Sequence, residues 1–497
     1  MSTKAITALT LGLAAASFAG AAHAQTCTEA LVGDAIVVSR GTGTVYSVDP
    51  ASGQIRALLT GQELRLGKTG TRGTGPSFST AGQASLLAMG DRILAHHGGS
   101  SQDAASLFWL DPFTGTRTVV PGSPNRALSS SGEMIRLSNS EVLVAADDFR
   151  GGGSTGMSSV LQYNVNTGAF TTISGRRASD GVIVGDGPLM YEARAIALLN
   201  STTLVAAEFG FDFPKAGVFL IDLNTGNRTF LSRMGRTPVV RDNYVNGVKV
   251  GTLTLGNLSG AANKGGTGPV VDYQIRSIAV VNGQIIVPAS SSPPGVGFAG
   301  SLFHVDPVTG NRTLVFGQAL VDNSPAAATA TAAVIPGWAK NPLDAPVGLV
   351  TLDGSRVAMV NQFASTAAPY RIMTFDAATG LLGSPVKTLS SQLVASPDFL
   401  SSGLAFFQPA DLNGDGLSDA CQISNGLTSD RNGDGVPDEV QWTCIGDYNL
   451  DGFVEFTDFD AFVEDFEAGR TTADVSRDQF LDFGDFDAFV GVFEAGC

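Results

Sequence analysis

Short runs of alternating apolar and polar residues fill most of this chain, and turn residues separate them in pairs. In Val218–Leu231, Val218-Phe219-Leu220-Ile221 and Thr229-Phe230-Leu231 flank Asp222-Leu223-Asn224-Thr225-Gly226. A period of two predicts strands. The turn between them predicts a hairpin, because Asp can accept from the backbone two residues on and Gly supplies a positive φ. The same turn recurs at Asp49–Gly53, Asp111–Gly115, Asn164–Gly168, Asp306–Gly310 and Asp376–Gly380, spaced from 53 residues (Asp111 to Asn164) to 84 (Asp222 to Asp306). A second hairpin precedes each turn. Arg276–Val281 reverses at Asn282-Gly283 into Gln284–Val287; Ala195–Leu199 with Leu204–Ala207, and Leu86–Met89 with Ile93–Ala95, follow the same scheme.

Each repeat therefore holds four short strands, A to D. A four-stranded antiparallel unit repeated six times predicts a six-bladed β-propeller over residues 25–408. A β-sandwich is the alternative, but it gives no reason for six similar turns. Leu404-Ala405-Phe406-Phe407 has no unit after it and Ala35-Ile36-Val37-Val38 lacks a strand before it, so pairing the two would close the ring. A–B and C–D turns are short, whereas the B–C and D–A connections are long and emerge on one face. That face carries the insertions Thr60–Gly82 and Ser232–Tyr273, and long loops of this kind are usually functional or disordered.

Strand B ends on that face at Arg40, His97, Asp147, Glu208, Ser290 and Asn361. Two readings stand: ordinary solvated strand ends, or a ring at a channel mouth that binds a ligand or metal. Asp147, Glu208 and Asn361 are the available oxygen ligands for a catalytic metal, and we expect them to splay rather than converge. Gly152-Gly153-Ser154-Thr155-Gly156 opens no helix and is no nucleophile elbow. Gly61…Gly67-Lys68-Thr69 has one residue too many for a phosphate-binding loop.

Charge divides the chain. Residues 409–497 hold 21 Asp and Glu against 3 Lys and Arg, a net −18; the remainder holds 46 − 21 = 25 acids and 30 − 3 = 27 bases, a net +2. No basic patch suggests nucleic acid. Residues 1–24 read as a secretory signal, with Lys4, the apolar run Ala5–Ala19 and Ala22-His23-Ala24 before Gln25. An N-terminal membrane anchor is the alternative, although the run is short for a span. No other segment is long and apolar enough to span. The protein is expected to be secreted. Cys27, Cys421, Cys444 and Cys497 then suggest two disulfides. Of three connectivities we favour Cys444–Cys497, which bracket the last segment, with Cys27–Cys421.

The acidic tail has the sharpest chemistry. Asp411, Asn413, Asp415 and Asp419 repeat as Asp430, Asn432, Asp434 and Asp438 in two copies of D-x-N-G-D-G-x-x-D. Oxygens at positions 1, 3 and 5 converge because Gly at position 6 turns the chain sharply, which suits Ca²⁺. Gln422 and Gln441 at position 12 are neutral ligands at best. A second pair follows: Asp447, Asn449, Asp451, Glu455 and Asp458, then Asp474, Ser476, Asp478, Asp482 and Asp485, with Gln479 replacing the glycine. Each loop runs into a helix with an i, i+3, i+4, i+7 apolar stripe: Phe459, Phe462, Val463 and Phe466, then Phe486, Phe489, Val490 and Phe493.

The first pair, within residues 409–442, resembles thrombospondin type-3 repeats. The second, within residues 443–497, resembles a dockerin, which implies two Ca²⁺ ions and docking to a cohesin-like or cell-surface partner. Gln479, Phe456 and Phe483 depart from that family's pattern. Residues 25–408 resemble NHL and gluconolactonase-like propellers in strand pattern. Together these imply a secreted calcium-binding protein whose loop face takes a glycan, protein or small molecule while its tail anchors it. The alternative is a metal-dependent hydrolase of a lactone or carbohydrate, with its site at the channel mouth.

Overall fold

In the computed structural model of the chain, the repeated turns form as their chemistry dictates. Asp222 Oδ1 accepts from the backbone N–H of Asn224 and of Thr225, both at 2.9 Å, and Gly226 closes the turn with φ 72°. Asp111, Asn164 and Asp306 accept from the equivalent two N–H groups. The structure describes residues 27–496 apart from 39–44, 51–54, 63–70, 77–83, 98–105, 124–127, 129–131, 149–156, 209–215, 236–238, 256–264, 271–274, 276, 292–298, 321–328, 332–345, 352–355, 362–371, 377–403, 431–432, 442–443 and 477–480. Residues 1–24, Arg40, Asn432, Asp478 and Cys497 therefore lie outside the described residues, as does most of the sixth turn.

The chain is mostly β and propeller-like. Successive antiparallel sheets keep their strands in chain order. The first contains Ala35–Val38, Val45–Val48, Ile55–Gln62 and Thr71–Arg72, and Leu404–Phe406 joins it by pairing with Ala35–Val38 in the register Ala35 to Phe406. The second runs Ala84–Met89, Arg92–His97, Ser106–Leu110, Arg117–Val119; the third begins at Met134–Arg136 and continues through Glu141–Asp148, Met157–Asn164 and Phe170–Arg176 to Ile183–Val184. The fourth is Ala193–Asn200, Thr203–Glu208, Gly217–Asp222, Arg228–Arg233, the fifth spans Ala279–Val281 to Thr329–Thr331, and the sixth is Pro346–Thr351, Arg356–Asn361, Ile372–Asp376. Leading strands of consecutive sheets are neighbours, and Pro346–Thr351 neighbours Leu404–Phe406, which in turn neighbours Ala84–Met89.

Alternation along a strand sends side chains to two different interfaces. Val142 and Val144 pack with Leu94, Leu107 and Trp109 of the second sheet, whereas Leu143 and Ala145 pack with Ile196, Leu204 and Phe219 of the fourth. Leu204 and Ala206 face the third sheet, and Val205 and Ala207 face Ile285, Val287 and Phe303 of the fifth. Sheets buried on both faces do not fit a two-layer sandwich, in which each sheet has one solvated face. Each fully buried Val or Leu stabilises the fold by about 1.5–3 kcal/mol relative to exposure.

Two features depart from the four-strand pattern. The first, third and fifth sheets gain an outer strand from what reads as loop. Part of the insertion Ser232–Tyr273 is a hairpin, Val239–Val245 with Val248–Leu255. Its Asn246-Gly247 turn has positive φ at both residues, 50° and 75°, the geometry such a two-residue hairpin needs. The hairpin also pairs with Gly187–Pro188.

A second repeat couples neighbouring sheets. Gly73-Thr74-Gly75-Pro76, Gly185-Asp186-Gly187-Pro188 and Gly266-Thr267-Gly268-Pro269 each precede a Thr-Gly-x-Arg turn, respectively Thr114–Arg117, Thr225–Arg228 and Thr309–Arg312. The middle residue of each glycine segment accepts the arginine's backbone N–H, at 2.8, 2.7 and 2.7 Å. A Cβ on Gly185 would lie 1.9 Å from Gly226 O, and one on Gly266 1.8 Å from Gly310 O. Only glycine permits that approach.

In the tail, four helices follow the acidic loops: α1 (Asp419–Ser424), α2 (Asp438–Gln441), α3 (Phe456–Glu467) and α4 (Phe483–Ala495). The predicted stripes of α3 and α4 meet, with Phe462 and Phe489 stacked at 4.1 Å and both fully buried beside Tyr448. Cys27 and Cys421 are joined in a disulfide. Cys444 is also disulfide-bonded. Among the described residues, no helix is long and apolar enough to cross a membrane.

Candidate functional site

The acidic loops of the tail share one hydrogen-bond scheme, whose opening half is seen in the first three and whose closing half in the first, third and fourth. The position-1 carboxylate accepts from the backbone ahead: Asp411 from Asp415 N and Gly416 N, Asp430 from Asp434 N and Gly435 N, Asp447 from Gly452 N. Position 5 accepts two residues on, as Asp415, Asp434 and Asp451 do from Leu417, Val436 and Phe453. The position-6 glycines Gly416, Gly435 and Gly452 have φ of 86°, 84° and 90°. The last carboxylate then ties the loop shut. Asp419 accepts from Leu412 N, Asp458 from Asn449 N and Glu455 N, and Asp485 from Ser476 N and Asp482 N. The position-3 oxygen of Asn413 takes Asp415 N and that of Asn449 takes Asp451 N. Gln422 and Gln441 donate their amides to Asp415 and Asp434 at position 5.

Whether these loops fit a cation turns on their leftover oxygens. Among the described residues no three or more His, Cys, Asp or Glu side chains are already gathered as metal ligands. Yet Asp419 Oδ1 and Asp447 Oδ1 are buried and accept no hydrogen bond. Desolvating a carboxylate oxygen without a partner is costly, and a cation in the loop would satisfy it. Burial, reinforced by the charges of Asp411, Asp415 and Asp91, raises the Asp419 carboxyl above its ordinary range. Burial with Asp458 and Asp451 nearby raises Asp447 against the Gly452 N–H. Asp485 behaves differently: burial opposes its charge, but the N–H groups of Asp482 and Ser476 outweigh it and the carboxyl is lowered. Hard oxygen donors around a glycine turn fit Ca²⁺. Asp438 is buried and accepts from Ser429 Oγ, while Asp474 accepts from Ser476 Oγ at 3.4 Å.

Of the proposed channel-mouth residues, Glu208 is the one whose side chain is described. It neither splays into solvent nor faces an open position. Buried to 1% exposure, it receives Arg241 Nη2 at 2.9 Å, Arg241 Nε at 3.2 Å and Tyr191 N at 2.9 Å. The Arg241 guanidinium lies 4.8 Å from the centre of the Tyr191 ring. Arg241 belongs to the inserted hairpin, so Glu208 anchors that hairpin to the fourth sheet. Asp147 pairs in register with Ser158, and Asn361 with Pro346; the side chains of His97, Asp147, Ser290 and Asn361 lie outside the described residues.

Sequence reasoning missed Glu133. Its carboxylate accepts from Ser277 Oγ, from Ile196 N at 3.0 Å and from Ile278 N. The third sheet thus meets both the fourth strand set and the segment leading into the fifth. Some solvent still reaches the residue, but protein encloses the carboxyl, and burial raises it to about 8. A folded value above the unfolded one means that its contribution to stability is complete below about 4.5 and is lost as pH rises through about 8. The slope is up to about 1.4 kcal/mol per pH unit. Glu133→Gln should remove that slope. Urea denaturation of both proteins at pH 5 to 8 tests this, since a wild-type-minus-variant difference that stays constant would refute it.

No protein-family model and no curated protein match the chain. Among solved structures it is similar to TolB from Acinetobacter baumannii, at 9% identity and TM-score 0.31, over 64% of this chain. The chain spans 55% of TolB's own length. It is similar to a protein named as a 6-phosphogluconolactonase from Bacteroides fragilis, at 13% identity and TM-score 0.35, covering 77% of this chain and 99% of that one. Hydrazine synthase from Kuenenia stuttgartiensis aligns at 12% identity and TM-score 0.36, covering 75% of this chain and 91% of that one.

Proposed function

We propose that this is a secreted calcium-binding protein: a closed six-bladed propeller that presents a ligand-binding loop face, carried on a calcium-loaded tail that docks it to a surface or complex. The observation that carries the calcium reading is the pair of buried, unpartnered oxygens Asp419 Oδ1 and Asp447 Oδ1 in loops of one repeated scheme. The six-bladed ring is supported by sheets packed on both faces and by Leu404–Phe406 pairing with the first sheet. Three cysteines in disulfides within the described residues are compatible with an oxidising compartment. The docking role rests on the dockerin-like spacing of the last two loops and their helices; a cohesin-like or cell-surface partner would read it.

Between binding and catalysis, the engagement of Glu208 by Arg241 favours binding. It takes one of three candidate oxygen ligands out of play for a channel-mouth metal. A glycan, protein or small molecule is the expected occupant of the loop face, and the hydrolase reading keeps only Asp147 and Asn361.

Calorimetric titration of the full chain with Ca²⁺, alongside far-ultraviolet circular dichroism, tests the calcium reading. We expect up to four sites, with the loops that close on Gln422 and Gln441 in the range of about 10⁻⁴ to 10⁻³ M. Removing calcium should loosen the tail, because its crowded carboxylates then repel. No heat and no spectral change would end the proposal.

A further inference from the structure

The first acidic loop is placed differently from the other three. It leaves directly from Leu404–Phe406, the strand by which the end of the β region joins its beginning. Gly416 O accepts Val32 N at 3.0 Å, Gly33 N donates to Phe407 O at 2.7 Å, and Phe407 N to Asp34 O at 2.9 Å. Ser418 Oγ donates to Asp91 in the turn between the first two strands of the second sheet. Leu417 packs against the cluster of Ile36, Leu59, Ile93 and Phe407, and Cys421, two residues beyond Asp419, is disulfide-bonded to Cys27 within that cluster. The loop therefore touches the N-terminal segment, the joining strand and the next sheet at once.

We propose that a Ca²⁺ ion in the loop Asp411–Asp419 acts as a clasp on the β body, so that its occupancy controls how firmly the first and last strands stay joined. This rests on the calcium reading above and assigns that one loop a role the other three do not share. Asp419 is fully buried, its Oδ2 accepts from Leu412 N across the loop, and its Oδ1 has no hydrogen-bond partner. That oxygen points to a ligand independently of the acidic pattern. In loops of this type the residue after the glycine contributes its backbone carbonyl to the ion. Here that residue is Leu417, so the ion would fix the two residues that present Gly416 O to Val32 and pack Leu417 into the core. Without the ion, the same contacts would depend on a loop whose carboxylates repel.

The test is thermal unfolding of the full chain, followed by near-ultraviolet circular dichroism, in excess EDTA and in about 10 mM Ca²⁺. At the affinities expected, calcium should raise the midpoint of the β-body transition by about 2–4 °C. Asp415→Asn should abolish most of that shift, whereas Asp451→Asn, in the third loop, should leave it in place. Calcium heat in calorimetry with no shift of the β-body transition would overturn the clasp and leave the calcium reading standing. No calcium heat at all would overturn both. Should Asp415→Asn fail to fold, hydrogen exchange on the wild type decides: calcium should slow exchange in residues 31–38 and 404–407 at least tenfold. Unchanged exchange there would overturn the clasp.

Discussion

Arg228→Ala is expected to destabilise the protein by about 3–5 kcal/mol, seen as a lower denaturant midpoint with little change in slope. Arg228 is buried, with 3% of the residue exposed, and its guanidinium is well supplied with acceptors. It donates to Pro188 O at 2.9 Å, Val184 O at 2.6 Å, Gly185 O at 2.9 Å, Gly187 O at 3.4 Å and Ser174 Oγ at 3.0 Å. Three of those four carbonyls belong to the glycine segment between the third and fourth sheets and the fourth, Val184 O, ends the outer strand just before it, so one side chain ties that segment to the third sheet. Removing it strands several buried acceptors at about 1–3 kcal/mol each, less whatever entering water restores. Burial lowers the guanidinium only to about 10, so it remains charged at neutral pH. Arg228→Lys should recover no more than about half of the loss, because an ammonium lacks the planar fork.

Arg312 repeats the arrangement on Pro269 O, Gly268 O, Gly265 O and Ser232 Oγ, and Arg312→Ala should cost a similar amount. Arg117 makes its bonds to Gly75 O and Pro76 O near the surface, where water replaces a lost donor, so Arg117→Ala should cost about 1 kcal/mol. Equal losses at all three positions would contradict the view that buried carbonyls, rather than the turn itself, set the cost.

The contrast between these latches and the turns they grip shows what the sequence makes legible. In Asp222–Gly226 both the side-chain acceptor and the N–H groups it takes lie within three residues, so the local pattern is the structure. The acidic loops read equally well, since Asp411 reaches its partners within five residues. Gly185-Asp186-Gly187-Pro188 instead finds its partner in Arg228, about 40 residues on, and reads locally as loop. Its two counterparts lie inside stretches that read as insertions, Thr60–Gly82 and Ser232–Tyr273. Glu208 shows the same limit from the other side. Its position at a strand end suggests an open channel mouth, but the chain supplies Arg241 from a distant hairpin and closes that position. Glu133 carries no local signal at all, because its environment exists only where Ser277 and Ile196 arrive from other sheets.

The Cys27–Cys421 disulfide was readable for a related reason. Pairing Leu404–Phe406 with Ala35–Val38 brings the beginning and the end of the β region together, and Cys27 and Cys421 lie just outside that pair. The double variant Cys27→Ala/Cys421→Ala should lose about 4–6 kcal/mol of stability. The bond closes a loop over a sequence separation of 394, and constraining an unfolded chain of that length accounts for about 6 kcal/mol in the chain-entropy picture, with measured values usually smaller. Both residues are buried among Ala30, Ile36 and Phe407, which makes alanine the cleaner substitution: serine would add two hydroxyls to an apolar cluster. The loss should fall on the β body. Cys444→Ala, which opens the other bond, should leave the β-body midpoint within about 0.5 kcal/mol, since that cysteine adjoins Ile445, which packs against the tail cluster of Tyr448, Phe462 and Phe489. Guanidinium denaturation of the two variants beside the wild type, all in saturating calcium, separates these contributions. If the Cys27/Cys421 variant unfolds at the wild-type midpoint, the joining strand and the first acidic loop hold the two ends of the β region without covalent help. If it instead unfolds in two steps, the first sheet opens before the rest.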